Sequence, residues 1–379
     1  MKNTRIISIC VIICLLLAAC GGAAGNNAAQ GSNATSAAGK NDDAQPSSDA
    51  TDNAQTSPTE NHASQGTDST TVAGVADDSQ TSTGTAQSTS KTPTVYFTSD
   101  ISAAGLVKIY EQLGWQPSGN VAVKISTGEP PASNYLRPEL ICDLVQMLSG
   151  TIVECNTAYG GSRASSAMHR QVAEDHGFTA IADFDLMDEE GEVEWPVTGG
   201  SRLDKIIVGS HAANYSDWVI LSHFKGHTMA GFGGAIKNVG IGISSASGKV
   251  YVHTAGTKTS GSIMYNDQDA WLEALAEMVT GFRDHVGEDH IIYINVMNRL
   301  SVDCDCDGHP AEPDIHDIGI LASTDPVALD QACIDLVYQA EGSESLVKRI
   351  ESKHGLHTLE HAAKIGLGSR TYELVNIDE

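Results

Sequence analysis

The sequence is poor in positive charge and in aromatic rings. Lys and Arg number 22 against 48 Asp and Glu, a formal net charge of -26, and Phe, Trp and Tyr make up only 5% of the chain. So acidic a chain has no bulk field to attract nucleic acid or an anionic membrane surface, and any anionic ligand must be held by local cations. The nucleotide signatures are missing too: there is no Walker run, and no G-x-G-x-x-G in the usual strand-to-helix setting. The C-x2-C-x2-C run of ferredoxin-type clusters is also lacking.

What is present begins with a leader. "MKNTR" is positively charged, and "IISICVIICLLLAAC" is an apolar core short for a spanning helix. Residues 1–20 read as a signal peptide, and Leu17-Ala18-Ala19-Cys20 resembles the bacterial lipobox. In that motif Cys20 would carry a diacylglyceryl thioether, anchoring an exported protein to the extracytoplasmic face of the membrane. An ordinary secretory signal or a short membrane anchor is the alternative. Residues 21–93 are Ala, Ser, Thr, Asn, Gln, Gly and Asp with almost no large apolar side chains, too few to offset the entropy of ordering. A disordered tether is expected there. Of eight cysteines, Cys142, Cys155, Cys304, Cys306 and Cys333 lie beyond Cys20, an odd set that does not describe a complete disulfide framework.

Residues 94–379 suit one large α/β domain or two closely joined lobes. "TVYFTS", "VAVKIST", "TIVECN", "DWVILSHF" and "HIIYINVMN" read as buried strands. Helical patterns lie between them: "ISAAGLVKIYEQLG", "RPELICDLVQMLSG", "SSAMHRQVAEDHGF" and "DQDAWLEALAEMVTGFRDHV". A strand at residues 318–323 should pass into a helix opened by Asp325-Pro326, with Thr324 or Asp325 as the cap. The alternation predicts a mainly parallel sheet covered by helices, with function in loops at the carboxyl ends of strands.

Three segments carry polar chemistry. "SHFKGHTMAGFGGAIKNVGIG" (Ser222 to Gly242) holds His223, His227, Lys225, Lys237 and a run of glycines, including Gly233 and Gly234, that allow close backbone approach. It can be a structural turn, a phosphate cradle or the floor of a cofactor site; the glycines favour a loop over a helix bearing both histidines. "NTAYGGSR" presents Arg163 either as a clamp on a carboxylate or phosphate or as the partner of a surface acid. "DCDCDGHPAEPD" offers Cys304, Cys306 and His309 as soft metal ligands, with His316 in reserve. Asp303, Asp305, Asp307 and Asp314 partly match a calcium loop, though its prolines and missing glutamate argue against an EF-hand. The plain alternative is a polar loop with packed or oxidised cysteines.

"HTMAGFGGAIKNVGIG" is similar to the cofactor segment of the nickel-pincer lactate racemase family, which has a histidine, a G-F-x-G-G-x-K run and a later nickel-binding histidine. The resemblance implies a proton-transfer role for His227, a cofactor attachment point at Lys237 and a nickel ligand at His253. More widely, "VAVKIST", "ECNTAYGGSRASSAMHRQVAEDHGF", the Gly-rich lysine segment and "VDCDCDGHPAEPDIHDIGILASTDPVALDQACIDLV" resemble the family known as domain of unknown function 362. Some members of that family carry ferredoxin-type cysteine clusters. The expectation is a lipid-anchored α/β protein with a metal or cofactor site at His227, Lys237, Gly233, Gly234, Arg163, His253, Cys304, Cys306 and His309, the metal being nickel, iron or zinc. It would act on a small anionic substrate by racemase-like proton transfer, with no nucleic-acid partner. A non-catalytic surface protein binding metal or ligand, and an electron-transfer protein using Cys304 and Cys306, are the rival expectations.

Overall fold

Eight strands of one sheet carry the cavity described below, and the order in which the chain visits them explains its position. The computed structural model describes residues 92–264 and 267–378. The leader, Cys20 and the tether up to residue 91 lie outside the described residues. The described residues fall within one compact unit.

In chain order the elements are β1 (Thr94–Thr98), α1 (Ala103–Gln112), β2 (Val121–Lys124), α2 (Pro138–Met147), β3 (Thr151–Glu154), α3 (Ser166–Asp175) and β4 (Phe184–Leu186). A hairpin, β5 (Glu192–Pro196) and β6 (Lys205–Gly209), precedes β7 (Asp217–His223). A second, small hairpin follows at β8 (Lys225–His227) and β9 (Gly231–Gly233), then α4 (Ala235–Gly240), α5 (Ala246–His253) and α6 (Gln268–Val286). The chain ends with β10 (Ile291–Met297), β11 (Gly319–Ser323), α7 (Pro326–Gln339), α8 (Glu344–Ser352), α9 (Leu356–Lys364) and β12 (Glu373–Asn376).

The main sheet runs β12-β1-β11-β10-β7-β2-β3-β4. Every pairing is parallel except those of β11 with β1 and β10, so β11 alone opposes the rest. The expected mainly parallel α/β architecture is therefore the one observed. The strands read as continuous apolar runs because both faces are covered. Alternate residues of β2 point opposite ways: Val121 and Val123 join the layer of Leu106, Ile109, Ile141 and Leu144 from α1 and α2. Ala122 joins the layer of Trp218, Ile220, Leu275, Phe282 and Ala332 on the other face. Lys124 is the last residue of β2, buried like the rest of that strand.

The helix starts follow local chemistry. Ser102 accepts from the Gly105 amide to open α1, Pro138 occupies the first turn of α2, and Asp267 accepts from the Ala270 amide to open α6. Asp325, rather than Thr324, caps α7 by accepting from Val327 and Ala328 at 2.9 Å each. Among the described residues no helix is long and apolar enough to cross a membrane.

From β2 the chain moves to β3 and β4 on one side, then returns to place β7 and β10 on the other. Strand order thus reverses between β2 and β7. Loops leaving neighbouring carboxyl ends diverge there and open a crevice.

Candidate functional site

The crevice holds a cavity of about 290 Å³ lined by the ends of β2, β3 and β7, the β8–β9 hairpin, α4, α5 and the loop at Cys304 to Cys306. The last residue of each of these three strands lines it: Lys124 from β2, Glu154 from β3 and His223 from β7. Charged groups ending otherwise apolar strands were the available sequence signal for Lys124 and Glu154, which had not been singled out. Lys225, noted in the Gly-rich segment without a role, and Lys249, which was not singled out, complete a lining of four lysines with Lys124 and Lys237, together with Arg163. The acidic protein therefore concentrates cations at one internal place.

Most of these cations are already partnered. Lys124 Nζ lies 2.8 Å from Glu154 Oε2 and donates to Asn238 Oδ1 at 3.0 Å and to the Ile125 carbonyl. Burial alone would push the Glu154 carboxyl up, but Lys124, His169 and Arg163 hold it at about 2. Arg163 is buried: Nε meets Glu129 Oε2 at 3.0 Å, Nη2 donates to Tyr159 Oη at 2.9 Å, and Nη1 is 3.9 Å from Glu154. Arg163 thus lines the cavity, and its acid partners are not the surface acids of the plainer expectation. Lys249 Nζ donates to the Ser244 carbonyl at 2.6 Å.

Asp305 anchors the opposite wall. Its Oδ1 is 2.8 Å from His223 Nδ1 and its Oδ2 is 2.9 Å from Lys225 Nζ, the latter an ion pair without aligned hydrogen-bond geometry. Burial opposes its charge, yet His223 and Lys225 hold the carboxyl well below the usual range. This engagement, with Asp303 turned to Arg349 at 3.3 Å and Asp307 to the His309 amide at 2.8 Å, disperses the acids that a calcium loop would need to converge.

Lys237 differs from its neighbours. Among the described residues its ammonium has no hydrogen-bond or ion-pair partner, while its stem shares the space over Gly233 with that of Lys225: a β-carbon on Gly233 would lie 3.4 Å from Lys237 Cδ and 3.5 Å from Lys225 Cε. Burial, then the Lys225 charge, lowers the amine to about 7. α4, which carries it, is fixed from a distance. Asp330 on α7 accepts from the Ala235 and Ile236 amides at 2.8 and 3.0 Å and from Asn295 Nδ2 at 2.7 Å. Gly234 leaves room for that carboxylate, because a β-carbon there would collide with Asp330 Oδ1. Gly234→Ala is expected to cost about 1–3 kcal/mol of stability and to loosen α4, read as a lower melting temperature; an unchanged melting curve would refute the cradle.

Two of the three cavity histidines, His227 and His253, are fixed in opposite tautomers. His227 Nδ1 accepts from the Met229 and Ala230 amides at 3.1 and 2.9 Å, so in the neutral ring Nε2 carries the hydrogen. His253 Nδ1 is 2.7 Å from the Lys249 carbonyl and must donate, leaving Nε2 with its lone pair. The His253 ring is also stacked on Trp271. Both rings are kept neutral at pH 7: burial and then the Lys237 charge lower His227 well below its ordinary value, and burial above all lowers His253 to about 4.

Cys304 and Cys306 are joined in a disulfide. Their sulfurs and a His227 nitrogen lie within 4.8 Å of one another, a set that could hold a metal ion only with the thiols reduced. In that set His227 would also have to give up the tautomer its backbone contacts impose. His309 is exposed and does not line the cavity. Cys155 does line it, as a thiol pushed up to about 12 by burial. The cavity thus brings together His227, Lys237, Gly233, Gly234, Arg163, His253, Cys304 and Cys306, and leaves His309 outside.

The profile of a family described as "Domain of unknown function (DUF362)" matches residues 121–335, which include the cavity's lysines and histidines and its disulfide. No curated protein matches the chain. Among solved structures, the lactate racemase apoprotein from Thermoanaerobacterium thermosaccharolyticum is similar at 12% identity with a TM-score of 0.39. The match covers 64% of this chain and 56% of that one, so the chain spans little more than half of that structure's length.

Proposed function

Since the chain belongs to the domain of unknown function 362 family, we propose that its α/β domain is an enzyme of small anions, moving a proton at the carbon beside a carboxylate held in the cavity. The observation that supports this most directly is the pair of oppositely fixed imidazoles in a cation-lined pocket. His253 presents an unprotonated Nε2, able to accept a proton, and His227 presents an Nε2–H, able to hydrogen-bond an oxygen on which negative charge grows. Lys225, Lys249 and Arg163 supply the positive field that orients the carboxylate.

A nickel-bearing group of the kind the lactate racemases carry fits two of the residues present. Lys237 offers a partnerless amine for attachment, and His253 would offer a coordinating nitrogen only in place of its role as proton acceptor. Such a group would supply a Lewis-acidic centre beside the substrate. Cys304 and Cys306, joined as they are, offer no thiolate, so an electron-transfer centre on them has less support.

The test is deuterium incorporation from heavy water at the carbon beside the carboxylate of small 2-hydroxy acids. His253→Gln should slow that exchange about a hundredfold or more, while affinity for the acid, read by thermal shift, changes little. Binding without exchange for every acid tried would reduce the protein to a non-catalytic binder, and absence of binding would overturn the cavity's assignment.

We also propose that the domain is displayed outside the cytoplasm on a lipid at Cys20, with residues 21–93 as its tether. Cys20→Ala should move the protein from the membrane fraction to the soluble one. Equal membrane retention would refute the anchor.

A further inference from the structure

We propose that Lys237 is an imine-forming lysine, whose amine condenses with the carbonyl carbon of a small 2-oxo acid bound in the cavity. This rests on reading the cavity as a small-anion site, and it names the class of molecule that the site takes.

The geometry selects Lys237 from the four lysines. Lys124 and Lys225 are held by Glu154 and Asp305, and Lys249 donates to a backbone carbonyl. Lys237 has no carboxylate within ion-pair distance among the described residues and projects from a helix that Asp330 fixes. Two lysine stems approach one glycine, Gly233, and the Lys225 charge acts on this unpaired amine. A like charge and burial favour the neutral, nucleophilic amine, and its ordinary value is indeed lowered to about 7.

The same setting defines the ligand. An anionic group held among the cavity's cations would leave an adjacent carbonyl to Lys237, so in the proposed ligand the carbonyl neighbours the carboxylate. A cavity of about 290 Å³ suits a small molecule of that kind. The step balances without a redox partner. The nitrogen lone pair forms the bond to carbon, and the C=O π pair moves to oxygen. The two amine hydrogens leave with that oxygen as one water, giving C=N. His253 Nε2 can accept the first of these protons and return it to the departing hydroxyl, while His227 Nε2–H bonds that oxygen.

The experiment uses purified full-length protein, pyruvate and cyanoborohydride at pH 7, followed by intact mass and peptide mapping. One reduced adduct per chain is expected on Lys237, at about tenfold or more above any other lysine, since an ordinary lysine is almost wholly protonated at that pH. Lactate, which has the carboxylate but no carbonyl, should compete. Acetone, which has only the carbonyl, should label about tenfold less. Lys237→Arg should abolish the adduct while still binding lactate by thermal shift. Label spread over surface lysines, equal labelling by acetone, or a Lys237 already blocked in the isolated protein would each overturn the proposal. Lactate binding that persists without an adduct would sink the imine alone, whereas loss of lactate binding as well would sink the small-anion reading beneath it.

Discussion

Glu154→Gln is expected to lower the unfolding free energy by about 3–5 kcal/mol, because it removes one partner of a buried ion pair and leaves the other charged. Lys124 is buried at the end of β2 and Glu154 is its nearest counter-charge, at 2.8 Å. Glu154 also accepts from the Thr127 amide at 3.0 Å and lies near Arg163, so its loss frees donors on three sides. Urea unfolding of the two proteins would measure the difference, and a loss below about 1 kcal/mol would contradict the assignment. The pH dependence has a definite sign. The folded carboxyl titrates at about 2 against an ordinary 4.5, so its contribution is present above 4.5 and disappears as pH falls from there through about 2. The variant should lack that part of the acid limb.

Lys237 should titrate near pH 7 rather than near its ordinary 10.5. At neutral pH its uncharged fraction would exceed that of a surface lysine by on the order of a thousandfold. Competitive labelling with trace acetic anhydride across a pH series would follow it. Asp305→Asn should move the midpoint lower still, since the Asp305 carboxylate is the anion that favours the charged amine, while Lys225 opposes it. A midpoint above about 9 would remove the basis for a nucleophilic role.

How much of this was legible in the sequence depends on whether the determining contact is local. Strands such as "VAVKIST" and "DWVILSHF" announced themselves because a buried parallel strand needs apolar residues on both faces, whatever its neighbours. The Asp325-Pro326 start of α7 was readable for the same reason, as a cap acts within its own turn. The β5–β6 hairpin was not read, because its first strand, "EVEWP", buries only Trp195 and ends on a proline. The Gly-rich segment was seen as a loop, whereas Lys225–His227 and Gly231–Gly233 pair as a hairpin too short to show a period.

The site divides similarly. His227, Lys237 and His253 share one stretch of chain, and the cavity gathers all three. What makes Lys237 reactive lies elsewhere: its helix is held by a carboxylate 95 residues onward, and its charged neighbour is kept by Asp305. Asp305 was weighed as a calcium ligand because its spacing from other acids is visible in sequence. Its actual partners, His223 and Lys225, lie some eighty residues earlier, with His223 82 residues away. The histidine tautomers were beyond reach, since they depend on which backbone group happens to face Nδ1.

The pairing of β1 sets the order in which the domain can be completed. Its two neighbours in the sheet are β11 and β12, formed by residues 319–323 and 373–376, and Ser323 reaches back to the Thr94 carbonyl at 2.8 Å. The first of the described strands to be synthesised is therefore among the last to find partners. Until β11 forms, β1 has no edge to join, and the five-stranded parallel block from β10 to β4 must assemble without it. Loss of the last few residues would strip β1 of one side of its ladder and turn an interior strand into an exposed edge.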